Sequence, residues 1–572
     1  MNVLAKENDY EIRPIVSLKD MLDSSAELYA DNPAYLVKKM KGGPYVEKTY
    51  TTLKHDVDAL GTAMLDLGLK DAKVAIIGEN CYQWIATYYA VANGVGTVVP
   101  LDKELNKEEV QNLITIAGCQ AVFFTANYEK YFENMDISSK FLMKVYEDAP
   151  SVSSVIGWQS LVTKGDALVK KGNRTYIDVE INPEEVRMLL FTSGTTGDAK
   201  AVMLSHKNLA SNIMDTCKVV EIFPEDRTLS ILPIHHTFEC TMGQLLVVYR
   251  GAATAYCEGL KYVTKNMVES GTSVLIGVPL IFESVYDKVW KQAEKSGKAG
   301  MLRKAIAINR KLKKFGIDAN RKLFKSVHET FGGRIRLFIT GAAGINPNVC
   351  RGFEDLGIRV LQGYGLTECA PLVSGTPYYE NTYKKAGSVG KVVRHGMFDI
   401  IDKDEDGIGE ILYKGPNVMV GYYRMPEETA KVLKDGWFHT GDLGFIDEEG
   451  WLYLTGRRKN VIVTKTGKNI YPEELEAYLN DCKFIAESMV YGVEDDFDED
   501  TLVSAQIRPD YDMITEEFGE SFDQDEIYQL IREEVAEINE KLPIYKRIRN
   551  VILREEEFIK TTTKKIKRYK NV

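Results

Sequence analysis

From residue 73 the chain alternates short apolar runs with longer amphipathic stretches: KVAIIGEN, YQWIATYYAVANG, GTVVPL, KEEVQNLITIAG and AVFFTA. The short runs read as buried strands. The stretches between them, with apolar residues every three or four positions, read as helices. Strands joined through helices lie parallel, so the predicted fold is α/β, with parallel sheets covered by helices. The rhythm resumes with RTLSILPI, GQLLVVYRG, ATAYCE, VLIGVP, RIRLFITG and RVLQGYG. In such sheets ligands sit beyond the carboxyl ends of the strands, so Ser193, His235, Gly341 and Gln362 are expected on loops lining one cleft.

A chain of 572 residues exceeds what one core supports, so at least two domains are expected. Beyond Gly456 the pattern changes to NVIVTK, YPEELEAYLND, ESMVYGV, LVSAQIRP, a helix from about Gln524 to Leu542, and NVILREEEF. The predicted organisation is a large N-terminal domain over 1–456 and a small mobile C-terminal α+β domain over 457–572. A net charge of -11 repels polyanions and argues against nucleic acid as a partner. Eight scattered cysteines without a C-x-x-C pair read as buried thiols in a reducing compartment. MNVLAKENDYEIRP lacks an apolar signal core, and no apolar run approaches the roughly 20 residues of a bilayer span. The expected location is cytoplasmic, with peripheral membrane contact left open.

Residues 191–206 read FTSGTTGDAKAVMLSH, between an apolar strand (Val186 to Phe191) and a helix that the spacing of Leu209, Ile213 and Met214 predicts from Ser205 onward. Gly194 and Gly197 allow several N–H groups to converge on one anion, Ser193, Thr195 and Thr196 add hydroxyls, and Lys200 adds a positive charge. The spacing excludes the G-x-x-x-x-G-K-[ST] loop. A phosphate site and an ordinary Gly/Ser/Thr turn both fit the segment taken alone.

Three further segments carry candidate chemistry. QGYGLTE (362–368) offers a turn, the Thr367 hydroxyl and the Glu368 carboxylate, which beside a phosphate would need a hard cation such as Mg²⁺ between them. HTGDLG (439–444) sets Asp442 on a tight turn, where a buried carboxylate can accept two ribose hydroxyls. FIKTTTKKIKRYK (558–570) carries six basic residues and no acid.

TSGTTGDAK is similar to the phosphate loop of the adenylate-forming superfamily, which includes acyl-CoA synthetases, firefly luciferase and the adenylation domains of peptide synthetases. Ala199 and Ala201 stand where that family more often has Pro and Gly. The resemblance runs from Leu18 to Lys570 with the motifs in family order, and it implies roles residue by residue. Thr192, Ser193, Gly194, Thr195, Thr196, Gly197 and Lys200 would grip the β- and γ-phosphates of ATP. Gly341, Ala342, Ala343, Gln362, Gly363, Tyr364 and Gly365 would form the adenine pocket, with Tyr364 stacked on the base. Thr367 would contact the α-phosphate and Glu368 would bind Mg²⁺. Asp442 and Arg457 would hold the ribose. Lys459 would be the hinge between two catalytic poses, and Gly467 would let the pantetheine arm of coenzyme A pass. Lys565 would be the catalytic lysine bridging the substrate carboxylate and the α-phosphate, although Lys564 replaces the usual Gly beside it.

LPIHHTFE (232–239) and LIGVPLIFESVYDKVW (275–290) resemble the long-chain fatty acyl-CoA synthetase branch, which implies an acyl pocket at His236, Gly277, Val278 and Pro279. His235 and His236 read equally as core histidines. The implied activity is an ATP-dependent long-chain fatty acid–CoA ligase acting through an acyl-adenylate. The alternatives are an acyl–acyl carrier protein ligase, an aryl- or branched-acid CoA ligase, and a catalytically silent lipid-binding protein. Residues 288–325 hold thirteen Lys or Arg and two acids, a basic amphipathic segment suited to an anionic membrane surface or to acyl and CoA phosphates, or equally to a solvated helical pair. Oligomeric state is not encoded in any motif.

Overall fold

The computed structural model describes residues 11–147, 155–192, 199–380, 382–464, 468–494, 501–519, 523–561 and 565–571. The chain packs as two compact units. One comprises Met1–Met397 and Lys414–Gly436; the other comprises Phe398–Tyr413 and Trp437–Val572.

The first unit is built on two large sheets, as the alternating sequence predicts. The eight-stranded sheet runs, in order, Gly421–Tyr422, Lys200–Ser205, Val186–Thr192, Gly96–Pro100, Ala72–Ile77, Ala121–Thr125, Ser139–Met143 and Ile156–Gly157. From Val186–Thr192 through Ile156–Gly157 the strands pair in parallel, Val74 lying opposite both Val98 and Ala121, whereas Lys200–Ser205 and Gly421–Tyr422 join antiparallel. The helix Lys107–Ala117 turns Val110, Leu113, Ile114 and Ala117 onto this sheet, and Asn106 and Glu109 close its N-terminus with a reciprocal capping box.

In the nine-stranded sheet Val274–Gly277, Leu337–Thr340 and Arg359–Gly365 lie side by side in parallel, with Gly277 opposite Thr340 and Thr340 opposite Gln362. Two strand ends, Gly277 and Thr340, are thereby levelled with Gln362, whose strand runs on to Gly365, at the edge where open α/β sheets carry their sites. Phe282, Phe324, Phe331, Phe338 and Phe353 fill the core on one face.

The second unit is α+β, and it takes in 398–413 and 437–456, which the sequence pattern placed in the large domain, because the strands Gly409–Lys414, Trp437–Ile446 and Leu452–Arg457 form one sheet. Ile485–Glu494 pairs antiparallel with Thr501–Pro509, which pairs in parallel with Asn550–Leu553. The helix Gln524–Lys541 starts with a capping box at Asp523 and buries Ile527, Ile531, Val535 and Ile538. A second sheet joins Gly409–Lys414, Trp437–Ile446 and Leu452–Arg457.

All eight cysteines are free thiols. Among the described residues no helix is long and apolar enough to cross a membrane.

Candidate active site

The phosphate-loop segment connects two strands rather than a strand and a helix. Val186–Thr192 pairs antiparallel with Lys200–Ser205, Thr192 facing Lys200, and the helix His206–Thr216 follows only after Ser205 caps it. In sequence, KAVMLS passed for the approach to that helix. As a strand it instead buries Ala201, Val202 and Leu204. The Thr192 hydroxyl donates to the Lys200 carbonyl at 3.3 Å, closing the base of the loop. Ser193, Gly194, Thr195, Thr196 and Gly197 lie outside the described residues.

Lys200 Nζ donates to Glu428 Oε2 at 2.6 Å and sits 5.1 Å from the centre of the Tyr422 ring. Lys200 first, then Lys431, pulls the Glu428 pKa down to about 2. Tyr422 reaches this place because Gly421–Tyr422 adds an antiparallel edge to Lys200–Ser205. The same tyrosine hydroxyl donates to Glu368 Oε1 at 2.9 Å, while the Met419 N–H donates to the Glu368 carbonyl at 2.7 Å. Burial and the Glu368 carboxylate both push the Tyr422 pKa upward, so the phenol stays a donor. Tyr422 therefore links the lysine of the loop to the candidate metal-binding carboxylate. No sequence signal marks it, because its partners lie 54 residues or more away.

Gln362, Gly363, Tyr364 and Gly365 belong to the strand Arg359–Gly365, which corrects the expected loop and turn. The glycines there serve close packing: a Cβ on Gly365 would lie 2.2 Å from the Pro371 carbonyl oxygen of the antiparallel neighbour. Thr367 and Glu368 then form a short 3-10 turn just past the strand end. Gly341, Ala342 and Ala343 follow the adjacent strand end, Ala342 in a left-handed conformation at φ 70°. The Thr340 hydroxyl, buried at that edge, has no hydrogen-bond partner among the described residues.

Of the acyl-pocket residues, Gly277 ends the strand Val274–Gly277, and Val278 and Pro279 begin the helix Pro279–Lys295. His236 Nδ1 accepts the Phe238 N–H at 3.2 Å and so secures the start of the π-helix Phe238–Leu245. The Phe238 ring covers Gly341, where a Cβ would come within 3.2 Å of it. The segments at 236–238, 277–279 and 340–341 thus meet at one sheet edge. His235 is half-buried, and burial, helped by Lys103, lowers its pKa to about 3, so it is a neutral ring 3.6 Å from Asp102.

In the second unit Asp442 lies within the strand Trp437–Ile446, correcting the expected tight turn. It is opposite Arg457 on Leu452–Arg457, and Arg457 Nε donates to Asp442 Oδ1 at 2.8 Å. Lys459 follows in the short turn Arg458–Asn460, where burial and the Arg457 and Arg568 guanidinium groups lower its pKa. Gly467 lies outside the described residues, between the paired strands Ile462–Val463 and Asn469–Ile470.

Lys565 is drawn to the same place. Its side chain is exposed, yet the protein around its ammonium, and then Arg457, lower its pKa while Asp442 opposes the shift. Desolvation and a like charge disfavour the ammonium; the carboxylate favours it. Thr561 and Lys565 exchange two hydrogen bonds, at 2.8 Å and 3.1 Å. The tail is pinned on both sides of the lysine. Lys560 pairs with Glu487, and Arg568 donates to Glu476 at 2.5 Å and to the Val490 carbonyl at 2.6 Å. Arg568 and its glutamates were not visible as site residues in the sequence, where Arg568 is one basic residue among six.

The sequence pattern of the AMP-binding enzyme family matches residues 22–423. Long-chain-fatty-acid–CoA ligase 5 of Rattus norvegicus is 30% identical, over 81% of this chain and 71% of its own length. The peroxisomal long chain acyl-CoA synthetase 7 of Arabidopsis thaliana is 26% identical over 87% of this chain and 74% of its own. In fold, the ATP-bound MatB of Rhodopseudomonas palustris superposes with a TM-score of 0.73 at 24% identity, covering 96% of this chain and 98% of that one. With the family pattern spanning well over half of its length, the chain belongs to the AMP-binding enzyme family, as an adenylate-forming acyl-CoA ligase.

Proposed function

We propose that this enzyme is an AMP-forming long-chain fatty acid–CoA ligase using ATP, Mg²⁺ and coenzyme A. The observation that carries the mechanism is the grouping of Asp442, Arg457 and Lys565 from three segments of one unit. The substrate class is supported by relatives named as long-chain-fatty-acid–CoA ligases. In the first half-reaction a carboxylate oxygen of the acid attacks the α-phosphorus of ATP. The bond to the β-phosphate oxygen breaks, giving acyl-adenylate and pyrophosphate.

Lys565 sets its positive charge against the negative charge that grows on the α-phosphate, and Thr367 donates a hydrogen bond to the same group. Asp442, oriented by Arg457, accepts the ribose hydroxyls. The carboxylate of Glu368 and the hydroxyl of Thr367 are hard oxygen donors of the kind Mg²⁺ prefers. The metal, when bound, neutralises phosphate charge. Thr192, Lys200 and the loop 193–197 orient the leaving pyrophosphate. Gly341 to Ala343 and Gln362 to Gly365 flank the adenine, and His236, Gly277, Val278 and Pro279 receive the acyl chain.

In the second half-reaction the thiol of coenzyme A attacks the acyl carbonyl and AMP leaves. Lys459 is the hinge between the two catalytic poses, and Gly467 admits the pantetheine arm. A panel of fatty, aryl and branched acids, assayed for pyrophosphate with and without coenzyme A, tests the reading. Release with long-chain acids, and acyl-CoA formation once the thiol is supplied, is the expected result. An aryl or branched preference, or transfer only to acyl carrier protein, would revise the substrate or the acceptor. No release with any acid would refute the enzyme.

A further inference from the structure

The helix Ala299–Lys314 carries two faces of opposite character. On one, Leu302 and Ile306 pack on the core and Asn309 is buried, its side-chain amide donating to Asn320 at 2.7 Å. Arg310 Nε holds Asp355 at 2.8 Å, and Lys313 donates to the Glu354 carbonyl at 3.0 Å. These bonds fix the helix about its axis. Met301, Ile308 and Phe315 recur at intervals of seven, so they lie within about 40° of one another on the opposite edge. Burial leaves that edge in solvent: Met301 is 63%, Ile308 51% and Phe315 81% exposed.

The stripe ends in a projecting turn. Gly316, at φ 74°, reverses the chain after Phe315 and presents Ile317, itself 51% exposed. Lys304 and Lys311, also seven apart and exposed, flank the stripe. Segment 288–325 carries a net charge of +11 in a chain whose total is -11. A nucleic acid or an acidic protein would engage the lysines and leave a solvated phenylalanine unexplained. Apolar side chains beside a row of lysines match the boundary between acyl chains and anionic headgroups.

We propose that the Met301–Ile308–Phe315–Ile317 edge docks this enzyme on anionic lipid bilayers, with Lys304 and Lys311 on the headgroups. That a membrane-dissolved acid is the cargo rests on the function proposed above, but the docking does not. Co-sedimentation of the full chain with phosphatidylcholine vesicles, with and without phosphatidylglycerol, measures it directly. Binding is expected to the phosphatidylglycerol vesicles. It should weaken about tenfold or more in Ile308→Glu/Phe315→Glu and in Lys304→Glu/Lys311→Glu, and hold in the distant Lys171→Glu. Circular dichroism and turnover of acid presented in detergent micelles should be unchanged in all variants. Binding that is absent from both vesicles, or indifferent to Ile308→Glu/Phe315→Glu, overturns the proposal. So does retention on a polyanion column without vesicle binding. Loss of pyrophosphate release with vesicle binding intact would instead count against the function.

Discussion

The Tyr422 hydroxyl donates to Glu368 Oε1 across 2.9 Å while its ring lies beneath the Lys200 ammonium, 5.1 Å away. One side chain thus steadies a carboxylate assigned to the metal and a cation assigned to the phosphates. Tyr422→Phe keeps the ring and loses the bond, worth about 1–1.5 kcal/mol. Adenylation should slow about tenfold and need more Mg²⁺ for half-saturation. Pyrophosphate release titrated with Mg²⁺ measures both, and an unchanged titration would remove Tyr422 from the site.

Lys565→Ala should lower adenylation on the order of 10²–10³-fold, as expected when one donor is removed from a developing oxyanion. Thioester formation from supplied acyl-adenylate should survive. Equal loss of both half-reactions would contradict the assignment.

Arg568 does not touch the reacting atoms in this scheme. It holds the tail through Glu476 and the Val490 carbonyl, so it positions Lys565. Arg568→Ala should impair the same half-reaction as Lys565→Ala but less severely, with partial rescue by Arg568→Lys, whose ammonium reaches one partner but not both. An effect confined to thioester formation would place the clamp elsewhere in the cycle.

Removing Arg457 leaves Asp442 buried without its 2.8 Å partner. Because the arginine side of this pair is solvated, Arg457→Ala should cost roughly 1–2 kcal/mol of stability rather than the full penalty of a buried orphan charge. The KM for ATP should rise more than the KM for the acid, as initial rates against each substrate will reveal.

Glu239 is buried in the first unit, where Oε1 accepts bonds from Ser230 at 2.6 Å and Gln244 at 2.8 Å. Burial raises its pKa from 4.5 to about 7. Below pH 4.5 the carboxyl is protonated whether the chain is folded or not. As pH rises from there to 7 the unfolded chain releases its proton first, so the fold loses stability, on the order of 3 kcal/mol by the end of that window. Glu239→Gln does not titrate. Its unfolding midpoint should gain on the wild type between pH 5 and pH 8, and a constant difference would mean that Glu239 is ionised in the folded protein.

Much of the fold was legible because burial writes itself into the sequence. Leu337–Thr340, Val186–Thr192 and the helix Gln524–Lys541 all announce themselves by apolar spacing. Two site placements were misread through glycine. Gly365 and its neighbours suggested a turn at Gln362, and Gly441 suggested one at Asp442, but both segments are strands. The same letter serves two ends here: Gly365 admits the Pro371 carbonyl where a Cβ would clash, while Gly441 supplies a left-handed backbone at φ 69° inside a strand that continues through it. Tyr422 and Arg568 were illegible for another reason: their value lies wholly in partners such as Glu368 and Glu476, which folding brings near and sequence spacing does not.

The two units are interleaved along the chain, since 398–413 belongs to one and 414–436 to the other. During synthesis the first unit therefore cannot finish before the second has begun. The ribosome must emit the opening strands of the second unit before it supplies Tyr422, the residue that closes on Glu368. The N-terminal-first folding usual for multidomain chains is denied to this one. A nascent chain stalled near residue 400 would hold nearly all of the first unit's mass and lack the tyrosine whose hydroxyl holds Glu368.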